Sequence, residues 1–403
     1  MALLLSVAEA LERVLAHAGA LPAEQAPLAE AHGRVLAGDL KALRTQPPAD
    51  VSAMDGYAVR AADVANAPAK LTVIGEVAAG RPFARPVGPG EAARIFTGGV
   101  VPQGADTVVV QEQTERHGDR VEVGNSTTRG RHIRAQGLDF KAGDTLLVAG
   151  RRLTARDLAL AAGMNHPRVP VHRRPKIAVL ATGDELVPPG TRPAPGQIVS
   201  SNTFALAALA RAEGADVADL GIVRDQLDTT VAAVRGAREL GVDVLVTSGG
   251  ASVGEYDLVQ PAFAAEGMEL SFWKVALRPG RPLMHGHLGA MHVLGLPGNP
   301  VSAYVCAFLF LVPLIRRLAG RTDFATSTES ARLGCNLPEN DERADYLRAT
   351  LQDGPDGPVA TPFPVQDSSM TIPLAKADCL LVREPHAAPA KAGSPCAILR
   401  LAD

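Results

Sequence analysis

The chain has 403 residues, enough for two to four domains with sizeable cores. A net charge of −3 excludes a broadly basic nucleic-acid footprint, and 4% aromatic residues are too few for stacking platforms on single-stranded nucleic acid. With 46% hydrophobic and 21% charged residues the composition is globular, and 39 Gly with 31 Pro call for many turns.

The opening MALLLSVAEALERVL lacks a basic n-region and is interrupted by Glu9 and Glu12, so it reads as a helix and not as a signal peptide. Ser6 followed by Glu9 is a capping box, and the spacing predicts a helix over 6–18. From 46 to 139 short runs (LTVIGEV, RIFTGGV, DTVVVQE, RVEV) separated by Gly, Pro and charged turns predict an antiparallel β module. Thr154 with Asp157 caps a short helix that Gly163 ends. From 175 to 320 the character changes. KIAVLAT, ADLGIV and VDVLVTSGG read as strands. The helix behind Ser201 or Asn202 and the helix DTTVAAVRGARELG separate them. A helix over 257–266, strands near 272–276 and 292–296 and a long helix from Pro300 follow, an alternation that argues for parallel βαβ units. The apolar run 301–315 contains Pro313 and is too short to cross a bilayer comfortably, so a buried core helix is expected and a membrane span is not. From about 328 onward short strands such as DCLLVRE and CAILRL predict a small β domain. Cys306, Cys335, Cys379 and Cys396 are scattered without a CxxC pair, which argues against a disulfide framework and for a reducing cytoplasm.

Ligands of an open parallel sheet bind beyond the carboxyl ends of its strands. Those ends carry Gly183-Asp184-Glu185, Arg224-Asp225, the run from Gly249 and Gly250 through Ser252 and Gly254 to Asp257, and Pro297-Gly298-Asn299-Pro300, which opens a helix. Glycine turns let backbone amides approach an anion, and a helix N-terminus favours it. Carboxylates beside a phosphate need a cation between them, and Mg²⁺ is the ordinary solution. Lys274, Arg278 and Arg281 would neutralise a second oxyanion. Each piece taken alone is an ordinary turn, cap or surface charge; their convergence on one sheet edge is the argument. His285 and His287 share a strand face, but no carboxylate or cysteine stands beside them in the sequence, so they read as core residues. Ser248 and Ser252 lack the Gly-x-Ser-x-Gly context of a serine hydrolase. In the β module, Ser52-Ala53-Met54-Asp55-Gly56-Tyr57-Ala58 beside Pro47-Pro48, Thr97-Gly98-Gly99 and Gly137-Leu138-Asp139 are loops that would present functional groups.

These pieces, with SAMDGYAVR, TGGVVPQGADTVVVQEQTE, ATGDELVPPG, GQIVSSN, TSGGASVGEYD, FWKVALRPGRPL and LPGNPVSA in order along the whole chain, resemble the MoeA family of molybdopterin molybdenumtransferases, which is similar to the E domain of gephyrin. The resemblance implies a multidomain α+β fold. A discontinuous, helical linking domain (1–45 and 140–174) would hold an inserted β domain (46–139). A three-layer α/β molybdopterin-binding domain with a parallel-type sheet (175–327) and a C-terminal β barrel (328–403) would follow. It implies a cytoplasmic homodimer in which the Asp55 loop of one subunit closes on the α/β domain of the other, and contact with other molybdenum-cofactor enzymes. The implied reaction inserts molybdate into adenylylated molybdopterin with release of AMP, and needs Mg²⁺.

Carried over position by position, the functional residues implied are Asp55, Thr97, Asp139, Glu185, Asp225, Asp257, Lys274, Arg278, Pro297 and Pro300. Glu185 and Asp225 are assigned to the metal, Asp257 to the substrate, and Lys274 and Arg278 to molybdate or phosphate. Gly249, Gly250, Ser252, Gly254, Asn299 and Arg281 are assigned to the cleft. The family often has Lys where this chain has Arg278 and Arg281, which keeps charge but replaces a mobile ammonium with a planar fork. The competing readings are an adenylyltransferase of the MogA type, which resembles 175–320 alone, and a non-catalytic pterin-binding scaffold.

Overall fold

The Ser6 hydroxyl accepts the Glu9 amide and the Glu9 carboxylate accepts the Ser6 amide, which starts α1 (Val7–Leu15) where the capping box placed it. The structure, a computed structural model, describes residues 4–249 and 259–401. Strand β1 (Ala23–Pro27) follows. The chain then enters a six-stranded sheet made of β2 (Gly56–Val59), β3 (Ala69–Val77), β4 (Glu91–Ile95), β5 (Thr107–Val110), β6 (Thr114–His117) and β7 (Arg120–Val123), in the order β5-β2-β4-β3-β7-β6. Tyr57 and Val59 face one core and Ala58 the other, as strand alternation requires. The expectation of a wholly antiparallel module needs correction, because β3 and β4 run parallel. Their connection, residues 78–90, is long enough for the crossover that a parallel pair demands.

Helix α2 (Ala155–Gly163) is capped reciprocally by Thr154 and Asp157, and β8 (Arg168–His172) returns to pair antiparallel with β1. The resemblance implied a helical linking region, yet helices are few here. A core of Leu36, Phe140, Leu153, Met164 and Val171 is enclosed by α2 and short ladders. Helix α1 does not join it, because Ala10 and Val14 are buried in the core of the α/β domain.

That domain comprises β9 (Lys176–Thr182), α3 (Asn202–Ala212), β10 (Asp216–Val223), α4 (Leu227–Glu239), β11 (Val244–Ser248), α5 (Val259–Ala265), β12 (Glu269–Trp273), β13 (Met284–Leu288), β14 (Met291–Leu296) and a helix α6 over Pro300–Leu318. The sheet order is β10-β9-β11-β14-β13-β12; the first four strands are parallel, and β13 and β12 add antiparallel. Ile177, Val179, Val246 and Leu294 face α1, α3 and α6, whereas Ala178, Leu180, Leu245 and Val293 face α4 and α5, giving three layers. Helix α6 is long and apolar enough to cross a membrane, but 78% of its apolar stretch is buried inside the protein, so it is a core helix. Residues 307–311 widen into a π turn that accommodates Pro313, whose ring and missing N–H a regular helix would not tolerate.

The C-terminal strands β15 (Glu329–Leu333), β16 (Ala344–Gly354), β17 (Gly357–Pro362), β18 (Cys379–Arg383) and β19 (Pro395–Arg400) run β16-β17-β15-β19-β18 and close back onto β16. Closure leaves this five-stranded barrel without exposed edges. The short helix α7 (Thr371–Ala375) precedes β18.

Candidate functional site

The parallel register brings the turns after β9, β10, β11 and β14 to one edge. The Gly183 amide donates to Val223 O at 3.2 Å and the Gly249 amide to Leu296 O at 3.2 Å, so each turn is tied to its neighbour. Asn202 cross-links two of them, donating to Ser248 Oγ and to Gly298 O at 2.7 Å each. The sequence offered Ser201 or Asn202 as a helix cap; Ser201 occupies that position without a side-chain cap bond, and Asn202 holds loops together instead. A cleft of about 420 Å³ results, with Thr182, Glu185, Asn202, Gly249, Pro297 and Asn299 in its walls. That volume lies in the range of small-molecule sites.

Gly249 has φ +98°, and a Cβ there would stand 2.4 Å from the Thr182 carbonyl oxygen, so only glycine fits. The Thr182 and Thr247 hydroxyls are buried and, among the described residues, have no hydrogen-bond partner. Pro300 begins α6 at the position where its missing N–H costs nothing. Asn299 precedes it, but its side chain leaves the helix and donates to Ser368 Oγ at 2.8 Å, while the Val301 amide donates to Ser368 O at 3.0 Å. A loop of the barrel domain thereby reaches the helix N-terminus, a contribution that no sequence pattern signalled.

The acids of the turns after β9 and β10 lie together. The Asp225 amide donates to Asp184 Oδ1 at 3.3 Å. Burial, and then the Asp184 and Glu185 carboxylates, hold the Asp225 carboxyl above its ordinary range. Among the described residues no cation pairs with Asp184, Glu185 or Asp225. Such an oxygen-rich, uncompensated set suits a hard divalent ion.

The basic residues divide. Lys274 follows β12 at the same sheet edge, has φ +90° and lies over the Trp273 ring at 5.0 Å. Arg281 is exposed and carries no carboxylate partner among the described residues. Arg278 departs from its assignment as an oxyanion ligand. Its Nε and Nη2 donate to Asp345 at 2.7 and 2.8 Å, Nη2 also donates to Asn340, and Asp341 lies 3.2 Å from Nη1, so its charge is already spent within the barrel domain. Arg348 is fully buried, and its Nε, Nη1 and Nη2 have no hydrogen-bond partner among the described residues. Burial lowers its pKa, with Asp367 opposing. It sits beneath the loop that carries Ser368, since Gln366 bonds its backbone at both ends.

Asp55 and Thr97 form one unit in the β module. Asp55 Oδ1 accepts the Thr97 amide at 2.7 Å and its hydroxyl at 2.8 Å, and these bonds hold the carboxyl below its usual range. Gly56 admits no Cβ, because Val109 O would lie 1.9 Å away. Asp139 is exposed, and its amide donates to Gln46 O at 3.0 Å. All these bonds stay inside or beside the β module. Gly250, Ser252, Gly254 and Asp257 lie outside the described residues.

Comparison with known proteins follows this division. The "MoeA N-terminal region (domain I and II)" matches residues 5–164, the "Probable molybdopterin binding domain" matches 178–317 and the "MoeA C-terminal region (domain IV)" matches 330–401. The chain is 41% identical over 297 residues to a molybdopterin molybdenumtransferase of Nostoc sp., covering 72% of this chain and 68% of the relative. It is 35% identical to that of Haemophilus influenzae over 91% of each chain. The solved structure of a molybdopterin biosynthesis MoeA protein from Pyrococcus horikosii superposes with a TM-score of 0.86 at 30% identity, covering 100% of both chains.

Proposed function

Because the chain belongs to the MoeA family, we propose that it inserts molybdate into adenylylated molybdopterin and releases AMP, a step of molybdenum cofactor biosynthesis. The observation that carries this reading is the convergence of Glu185, the Gly249 turn and the α6 N-terminus around one cleft, with Asp184 and Asp225 close to Glu185. The glycine turn and the helix dipole favour the adenylyl phosphate. Asp225 and Glu185 would hold Mg²⁺, which when bound neutralises charge on the phosphate oxygens. The residues fit it, because three acids crowd together and, among the described residues, no cation pairs with them. Asn202 and Asn299 orient the walls.

For molybdate, Arg281 replaces Arg278 in this reading, since it is exposed and has no carboxylate partner among the described residues. Lys274 stands at the same edge as a further positive charge. Asp55, Thr97 and Asp139 belong to a homodimeric site in which they meet the cleft of a second copy. What supports this is that Asp55 and Thr97 are ordered by each other and, among the described residues, make no bond to their own cleft. The domain limits 1–45 with 140–174, 46–139, 175–327 and 328–403, with α1 packed onto the 175–327 domain, and a cytoplasmic location form part of the same proposal.

The MogA-type adenylyltransferase alternative is not favoured, since the matched N- and C-terminal regions have no place in it. The decisive experiment incubates the protein with adenylylated molybdopterin, Mg²⁺ and molybdate and measures AMP. Molybdate-dependent AMP release supports the proposal; consumption of ATP to make the adenylylated pterin would replace it.

A further inference from the structure

The β13–β14 hairpin gathers three histidines on one face. His285 and His287 alternate along β13, and the antiparallel register sets His287 opposite His292. The ring centroids stand 4.9 Å apart for His285 and His287, 4.5 Å for His287 and His292, and 5.7 Å for His285 and His292. One nitrogen from each ring lies within 4.8 Å of the others. His285 is 0% and His292 3% exposed. Polar rings in such a place are costly unless partnered, yet His285 Nδ1 and His287 Nε2 are buried with no hydrogen-bond partner among the described residues.

The spacing suits an ion. Two imidazole nitrogens about 2.0–2.1 Å from a tetrahedral metal stand about 3.3–3.4 Å from each other. His285 Nε2 and His292 Nδ1 are 3.4 Å apart. A cleft of about 250 Å³ reaches His287 from solvent, with His17 and Glu269 in its walls, and the His17 ring lies edge-on to His287 at 5.2 Å.

We propose that His285, His287 and His292 form a binding site for one divalent late transition-metal ion of the zinc class, with a fourth position facing His17 and Glu269. Imidazole donors select zinc, copper or nickel, whereas oxygen donors select magnesium. The two sites are also apart in the fold. The His292 amide donates to Asp243 O, at the amino ends of the parallel strands, whereas the carboxylate cleft lies beyond their carboxyl ends. The site therefore stands whether or not the molybdate reaction does.

The test uses the full chain stripped with chelator and titrated with Zn²⁺ against a chromophoric competitor in excess Mg²⁺. One Zn²⁺ per chain is expected, with Co²⁺ giving the intense visible bands of a four-coordinate ion. His287→Ala, at the solvent-reached ring, should weaken binding by more than about 100-fold and abolish the Co²⁺ bands while leaving far-UV circular dichroism unchanged. His292→Gln gives a second variant. Binding of less than one equivalent, a six-coordinate Co²⁺ spectrum, or unchanged affinity in both folded variants would overturn the proposal.

Discussion

The Asp225 amide donates to the Asp184 carboxylate at 3.3 Å, so an acid from the turn after β9 holds the turn after β10. The same acid raises the cost of ionising Asp225, so positioning and electrostatic tension come from one side chain.

That tension has a sign that can be measured. The folded-state pKa of Asp225 lies above its ordinary 3.8, so ionisation opposes folding. The metal-free protein should lose stability from Asp225 as pH rises from about 3.8 through the raised value, with no penalty below it. Asp225→Asn should raise the metal-free Tm at pH 7, cancel the Tm gain that Mg²⁺ gives the parent, and lower AMP release on the order of 100-fold. Equal Mg²⁺ stabilisation of both proteins in a thermal melt would remove Asp225 from the metal site.

Gly249→Ala tests the turn. With φ +98° and a Cβ placed 2.4 Å from Thr182 O, the substitution should cost about 1–3 kcal/mol. Urea unfolding with an unchanged m-value would register it. A loss below about 0.5 kcal/mol would mean that the turn relaxes freely.

Asp55 and Asp225 can be tested together across subunits. Equal mixing of Asp55→Ala and Asp225→Ala subunits gives one intact site in each mixed dimer if the Asp55 loop serves the partner's cleft. About a quarter of parental AMP release should then return. If the loop serves its own cleft, every site carries one lesion and the mixture stays as inactive as its components.

Arg348→Met tests whether the buried guanidinium is a burden on the fold. Replacing a buried charge without a hydrogen-bond partner among the described residues by an apolar side chain should leave the chain equally stable or more stable by about 1–4 kcal/mol. A clear loss of stability in urea unfolding would show that Arg348 has a structural partner.

Much of this architecture was legible because local rules and the final fold agree. The Ser6–Glu9 and Thr154–Asp157 boxes start helices where their spacing said, and the βαβ alternation from Lys176 places four turns on one edge. Legibility failed where an interaction crosses domains. Arg278 looked like a free cation because its counter-charge, Asp345, stands 67 positions away. Ser368 and Arg348 lie in a barrel whose sequence carries no local chemical pattern. The β3–β4 pair read as antiparallel because strand composition does not encode direction; the connection over 78–90 does. His292 could be joined to His285 and His287 only once the hairpin register was known.

Asn299 and Val301 both bond Ser368, and Arg278 is clamped by Asp345. Excising the barrel would thus strip more than a neighbour from the molybdopterin-binding domain: it would leave an arginine without its counter-ion and the mouth of the longest helix open to water. A single-domain protein cut from this chain would have to rebuild that mouth before it could hold the same ligand, which makes the C-terminal appendage a part of the site's architecture and not a decoration.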